Sequence, residues 1–155
     1  MSDLDEAVEA MQRQIIEQAL REYSAIVVEH WTHPRNQYAM DNPDGYARIK
    51  GPCGDTMEFF LRVQNGKIAD ASFLTDGCIT SISSGSMAVE LTVGKSLAEA
   101  RAVSAENILN ELGGLPEESQ HCAVLASDTL RAAVGDYMIS EKEPWKRLYN
   151  TGPRR

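Results

Sequence analysis

Residues 46–78 read YARIKGPCGDTMEFFLRVQNGKIADASFLTDGC, and this stretch decides the fold. Residues 46–50 alternate as a short strand, Gly51-Pro52-Cys53-Gly54 forms a tight turn, and Thr56–Gln64 predicts a second strand with Phe59, Leu61 and Val63 on one face. Asn65-Gly66 is the preferred pair for a two-residue type I′ hairpin turn, because both positions need positive φ. Residues 67–74 then supply a returning strand. The expected sheet is a three-stranded antiparallel meander.

Helical periods flank this sheet. On its N-terminal side Leu4, Val8, Met11, Ile15 and Ala19 recur at helical spacing behind Ser2 and Asp5, a capping-box pair. A further helical segment runs through Ile26-Val27-Val28 and stops before Pro34, since the residue preceding a proline is pushed out of the helical region. Residues 36–45 are rich in turn formers. On the C-terminal side Ile79, Ile82, Ser86, Val89 and Val93 predict a helix closed by Gly94 at C′. Ser96 with Glu99 caps a short helix, and Ser104 starts another. Gly113-Gly114-Leu115-Pro116 breaks the run, and Ser119 is the expected N-cap of a final long helix carrying Cys122, Leu125, Ala126, Leu130, Ala133 and Val134. The fold class is therefore α+β: a small antiparallel sheet packed against several helices, with a long helix at each end of the chain. Residues 1–23 are expected to be a helical extension and residues 24–155 one domain.

The chain has 155 residues, 43% hydrophobic and 25% charged, which suits one compact core. A net charge of −8 with no concentrated basic face argues against nucleic acid or an anionic membrane as partner. No stretch approaches the roughly 20 apolar residues of a membrane span. Met1-Ser2-Asp3-Leu4-Asp5-Glu6 is acidic where a signal peptide is basic, so the expected location is the cytoplasm. Three cysteines are an odd count for a disulfide framework, and in a reducing compartment they are free thiols, ligands or catalytic groups.

The hairpin brings two of them together on paper. With Asn65 and Gly66 as the loop, opposed residue numbers add to 131, and Cys53 and Cys78 satisfy that register. Asp55 shares a face with Cys53 by the strand period of two. With Ser119 as N-cap, His121 and Cys122 fall in the first turn of the last helix, where free N–H groups and the helix dipole favour a thiolate. Cys78 also begins a helix. Three thiolates, an imidazole and a carboxylate make a mixed set that can hold a metal and let it go, unlike a closed structural cage.

Each residue has a plainer reading. A single cysteine is more often a buried small hydrophobe than a ligand. His121 can be a surface histidine, and Asp55 can satisfy turn N–H groups. The hydroxyl run Thr80-Ser81-Ile82-Ser83-Ser84-Gly85-Ser86 suits close helix packing better than catalysis, and His30 and His33 suit the end of the second helical segment better than a metal. Trp145-Lys146-Arg147-Leu148-Tyr149 reads as a helix end packing on the core.

In combination, His33-Pro34-Arg35-Asn36, Gly51-Pro52-Cys53-Gly54-Asp55, Asp76-Gly77-Cys78, Gly94-Lys95-Ser96-Leu97 and His121-Cys122-Ala123-Val124-Leu125-Ala126 resemble the IscU/NifU N-terminal scaffold family over about residues 24–138. The resemblance implies an α+β sandwich and the assembly of an iron–sulfur cluster, most simply [2Fe–2S], from Fe2+ and desulfurase-supplied sulfur, followed by transfer to acceptor apoproteins. It maps the ligand cysteines onto Cys53, Cys78 and Cys122, the nearby imidazole onto His121, and the carboxylate that keeps the cluster labile onto Asp55. The implied protein is a carrier, not an enzyme, working as a monomer or homodimer.

This chain departs from the family in three places. Ile79-Thr80-Ser81-Ile82 stands where the family has a small Gly/Ala-Ser run. Leu115-Pro116-Glu117-Glu118-Ser119 replaces the Leu-Pro-Pro-Val-Lys segment that recruits a heat-shock-type chaperone, which counts against that partner. The 43 residues between Cys78 and Cys122 leave no space for the insertion of the zinc-holding SufU branch. The competing reading is a sulfur acceptor whose Zn2+ masks and then releases a cysteine and which stimulates a desulfurase. A thiol enzyme using Cys122 with His121, and a zinc-stabilised interaction module, are the remaining readings.

Overall fold

The structure is a computed structural model that describes residues 2–145. Its elements run α1 (Asp3–Glu22), α2 (Ala25–Thr32), β1 (Gly45–Lys50), β2 (Thr56–Gln64), β3 (Lys67–Thr75), α3 (Ile79–Thr92), α4 (Leu97–Arg101), α5 (Ala105–Leu112), a 3-10 turn (Glu117–Ser119) and α6 (His121–Lys142). The sheet order is β1-β2-β3, antiparallel throughout, so the expected meander is present. Asn65 and Gly66 both carry positive φ, 54° and 73°, which is the geometry a type I′ turn demands.

The register differs from expectation. Gln64↔Lys67 and Val63↔Ile68 follow the simple hairpin count, but a bulge next to Val63 shifts every later pair by one, from Arg62↔Asp70 to Met57↔Thr75. One extra residue in β3 absorbs the shift, as a β-bulge does. The ladder also ends at Met57↔Thr75, so Cys53 and Cys78 are not cross-strand partners, and residues 51–55 form a turn in which the period-two argument for Asp55 does not apply.

The inner face of the sheet is built by Met57, Phe59, Leu61, Ala71 and Phe73, all fully buried. Phe59 and Phe73 face each other across the ladder with ring centroids 6.2 Å apart. Helices α3 and α6 lie over this face. Gly85 of α3 meets Phe73 so closely that a Cβ there would come within 2.5 Å of the ring. The free edge of β3 is covered by chain: Phe73 N–H donates to Asn36 O at 3.0 Å, and Ile68 N–H to Lys95 O at 2.8 Å.

Local signals set most helix ends. Ser2, Ser96 and Ser104 each close a capping box, and Ser24 accepts from Val27 N–H to restart the chain as α2. Ser119 is the exception: it sits in the 3-10 turn, and α6 begins after Gln120 with no side-chain cap. The α1 expectation also needs correction. The helix forms, but Leu4 (72%), Met11 (62%) and Ile15 (52%) remain exposed and Ala19 is its one buried residue. Trp145 is exposed, and the rest of its expected helix end lies outside the described residues.

Candidate functional site

Two close approaches fix where α6 begins. A Cβ at Gly45, the first residue of β1, would lie 2.6 Å from Ala133 O, and one at Gly51, just past its end, 3.2 Å from Leu125. Helix α6 therefore runs antiparallel to β1, and its first turn, with His121 and Cys122, reaches the end of the sheet where residues 51–55 turn. β3 finishes at that same end and passes through Asp76-Gly77-Cys78 into α3. All three cysteines thus meet at one end of the molecule, by chain direction and helix packing instead of by hairpin pairing.

Cys53 is exposed on a turn closed by Gly54 N–H donating to Gly51 O (3.1 Å) and Gly51 N–H to Asp55 O (2.7 Å). Gly54 carries φ +91°, which glycine adopts without cost. Cys78 is exposed at the N-cap of α3, where its carbonyl accepts Ile82 N–H. Thr75 and Asp76 stitch these two turns together: Asp76 Oδ1 accepts Thr56 N–H at 2.7 Å, and Thr75 Oγ1 donates to Thr56 O at 2.8 Å while accepting Gly77 N–H at 3.1 Å.

Cys122 differs from both, at 2% exposed. Its Sγ lies 3.3 Å from Thr80 Oγ1, 3.5 Å from Ser81 Oγ and 3.6 Å from His121 Nε2. Asp55 reaches the same cluster from the opposite side, its Oδ2 accepting the Ser81 hydroxyl at 2.7 Å. The structure thus links Asp55, Ser81, Cys122 and His121 by direct contacts, with Cys53 and Cys78 on the adjoining turns. Among the described residues, no three His, Cys, Asp or Glu side chains form a ready cation cage. The donors nonetheless suit soft iron or cluster chemistry, with thiols beside a carboxylate and an imidazole that can bind more weakly.

Sequence reading missed three contributors. Thr80 and Ser81 were assigned to packing, but their side chains contact Cys122 and Asp55; their place one turn into a helix that starts at a cysteine is the signal that could have found them. Tyr23, the C-cap of α1, has its phenol pKa raised above the ordinary range, first by burial and then by Glu22, Cys78, Glu118 and Cys122. Tyr23 also borders, with Ile15 and Ile79, a groove of about 190 Å³ that begins one residue after Cys78. The histidines of α2 stay apart from this site: His30 is buried with Nδ1 2.7 Å from Ser86 Oγ, and His33 caps the helix.

The family model described as "NifU-like N terminal domain" matches residues 22–144. The iron-sulfur cluster assembly scaffold protein IscU of Escherichia coli (strain K12) is 42% identical over 120 residues, covering 74% of this chain and 93% of that protein. The scaffold protein IscU 1 of Archaeoglobus fulgidus is 39% identical over 116 residues, 74% of this chain and 76% of the archaeal protein. Among solved structures, a NifU-like N-terminal protein from Brucella abortus superposes with a TM-score of 0.59 at 18% identity, covering 75% of this chain and 94% of that one, and supports the fold alone.

Proposed function

The chain belongs to the NifU-like N-terminal domain family, and from that membership we propose that it is a scaffold for building an iron–sulfur cluster and passing it to apoproteins. It is a carrier, with a cysteine desulfurase and acceptor proteins as its partner classes. The observation that carries this reading is the gathering of Cys53, Cys78, Cys122, Asp55 and His121 at one end of the sheet, with Asp55 and Cys122 bridged through Ser81. We assign the cluster to these five residues, residues 24–155 to the scaffold domain, and residues 1–23 to a helical extension. No helix among the described residues is long and apolar enough to cross a membrane, and the proposed place of work is the cytoplasm.

The chemistry follows from exposure. A desulfurase persulfide transfers its terminal sulfur to a protein thiolate, that of Cys53, exposed on its turn, or of Cys122 once it is uncovered; the donor cysteine leaves as its thiolate. Two electrons from an external reductant convert the carried sulfur to sulfide. Ferrous iron enters as substrate, with Asp55 as the hard oxygen donor and the thiolates as soft ones. A [2Fe–2S] product needs four protein ligands, which the three cysteines complete with Asp55 or His121. The oxygen or nitrogen ligand is the weak one, and release to an acceptor starts there. Zn2+ is expected to occupy the same donors when the isolated protein meets it without iron.

The test is anaerobic incubation of the protein with ferrous iron, cysteine, a reductant and a cysteine desulfurase, following visible absorbance and acid-labile sulfide. A sulfide-containing chromophore that is lost in each single Cys→Ala variant and moves to an apo-ferredoxin is the expected result. Stoichiometric zinc, stimulation of the desulfurase and no chromophore would replace it with the sulfur-acceptor reading.

A further inference from the structure

Ser81 is fully buried, and its hydroxyl stands between two groups of the proposed site, 2.7 Å from Asp55 Oδ2 and 3.5 Å from Cys122 Sγ. A hydroxyl has one proton, and the nearer carboxylate is the stronger acceptor, so the proton goes to Asp55. Thr80, its neighbour in the first turn of α3, is 3% exposed and lies against the same sulfur at 3.3 Å. Together these two side chains close α3 over Cys122, which is 2% exposed while Cys53 and Cys78 are open to solvent. The backbone at Gly77 roofs the hydrogen bond: a Cβ there would collide with Ser81 Oγ and sit 2.7 Å from Asp55 Oδ2. The packing at 77 thus holds the Asp55 turn and α3 at the separation the hydrogen bond needs.

We propose that Ser81 is a positioning residue that latches the Asp55 turn to α3 and thereby keeps Cys122 covered until the Asp55 carboxylate is drawn away. This deepens the scaffold reading and rests on it for its purpose: when incoming iron takes the Asp55 carboxylate from Ser81, the cover over Cys122 is released and the third thiol becomes available beside Cys53 and Cys78.

The test uses the apo-protein and so is independent of whether a cluster forms. Iodoacetamide labelling, read by mass spectrometry, gives the rate at Cys122 relative to Cys53 in the same molecules. Ser81→Ala and Asp55→Ala are each expected to raise that ratio by roughly tenfold, the scale on which a hydrogen bond to a charged group holds a closed state. The double variant should go no further than either single one, and Asp55→Asn, whose neutral amide oxygen still accepts the Ser81 proton but more weakly, should raise the ratio clearly less than Asp55→Ala. Asp55 is half-buried on a turn, so its replacement tests the latch without removing a core side chain. An unchanged ratio in Asp55→Ala, or additive increases in the double variant, would overturn the latch; failure of cluster assembly with the expected labelling pattern would overturn the scaffold reading and leave the latch standing.

Discussion

The three cysteines are held by two different kinds of structure. Cys53 and Cys78 sit on exposed turns whose shape comes from local hydrogen bonds and a few special backbone angles, whereas Cys122 sits inside a helix whose position comes from packing. In α6, Cys122 is followed by Ala123, Leu125, Ala126, Leu130, Ala133 and Val134, all buried against the sheet and α3. The turn cysteines can shift at small energetic cost; the helix cysteine cannot move without its neighbours. The proposed site thus combines a fixed thiol with two adjustable ones, an arrangement suited to a cargo that must be both held and given up.

The comparison breaks most violently from the packed side. Gly85→Val places a branched side chain where a Cβ already comes within 2.5 Å of the Phe73 ring, so α3 must lift from the sheet. The expected loss is about 3 kcal/mol, read from the urea midpoint, as overpacked cores show. A shift below about 1 kcal/mol would mean that α3 is less firmly seated than its contacts indicate.

On the adjustable side, Asp55→Ala removes the proposed weak oxygen donor and is expected to lengthen the cluster's half-life several-fold, on the order of 1 kcal/mol in the release barrier. The measurement is decay of visible absorbance after transfer to buffer containing a chelator, and a half-life unchanged or shortened argues against Asp55 as the labile ligand. Gly54→Ala probes the backbone of the turn that carries Cys53 and Asp55. Its Cβ meets nothing within 4 Å, but φ +91° is strained for alanine, so the cost is about 1 kcal/mol in chemical denaturation. An unchanged denaturation midpoint in that variant would show that the turn relaxes without strain.

The smallest effect concerns pH and the support behind α3. Ser86 Oγ accepts Arg35 N–H at 2.8 Å and pairs with His30 Nδ1 at 2.7 Å, and His30 Nε2 faces Glu90 at 3.4 Å. Burial, and then Arg35, lower the His30 pKa below its ordinary 6.5, more than Glu90 and Glu29 raise it. The folded protein therefore binds fewer protons here than the unfolded chain. This contribution to stability is fully present above about pH 6.5 and is lost as pH falls through the lowered folded value. Denaturation midpoints between neutral and mildly acidic pH should decline less steeply in His30→Asn than in the parent; identical slopes would assign the decline to other groups.

Much of the architecture was readable before any coordinates. Asn65-Gly66, the capping boxes at Ser2 and Ser96, the helix start at Ser104, and Gly94 act over three or four residues, so these residue types announce the element they form. The cysteines, Asp55 and His121 were legible as candidates from residue type and motif. The errors came where a signal acts over longer range or competes with another. Ser119 has the right chemistry for an N-cap, yet the 3-10 turn after Pro116 passes it by and α6 begins uncapped. The period of α1 was correct, but periodicity reports a stripe and not what covers it, and Leu4, Met11 and Ile15 are left exposed.

By itself, then, the sequence determined the meander, the helices around it and the candidate thiol, carboxylate and imidazole donors, because turn chemistry, side-chain period and residue type are local properties. Only the tertiary structure decided which donors meet and which are covered. A single bulge beside Val63 cancelled the hairpin register that seemed to pair Cys53 with Cys78, and the direction of α6 along β1 brought Cys122 to the same end anyway. The Ser81 bridge between Asp55 and Cys122 joins residues 26 and 41 positions apart, a separation at which no local pattern carries information and chain packing alone sets the distance.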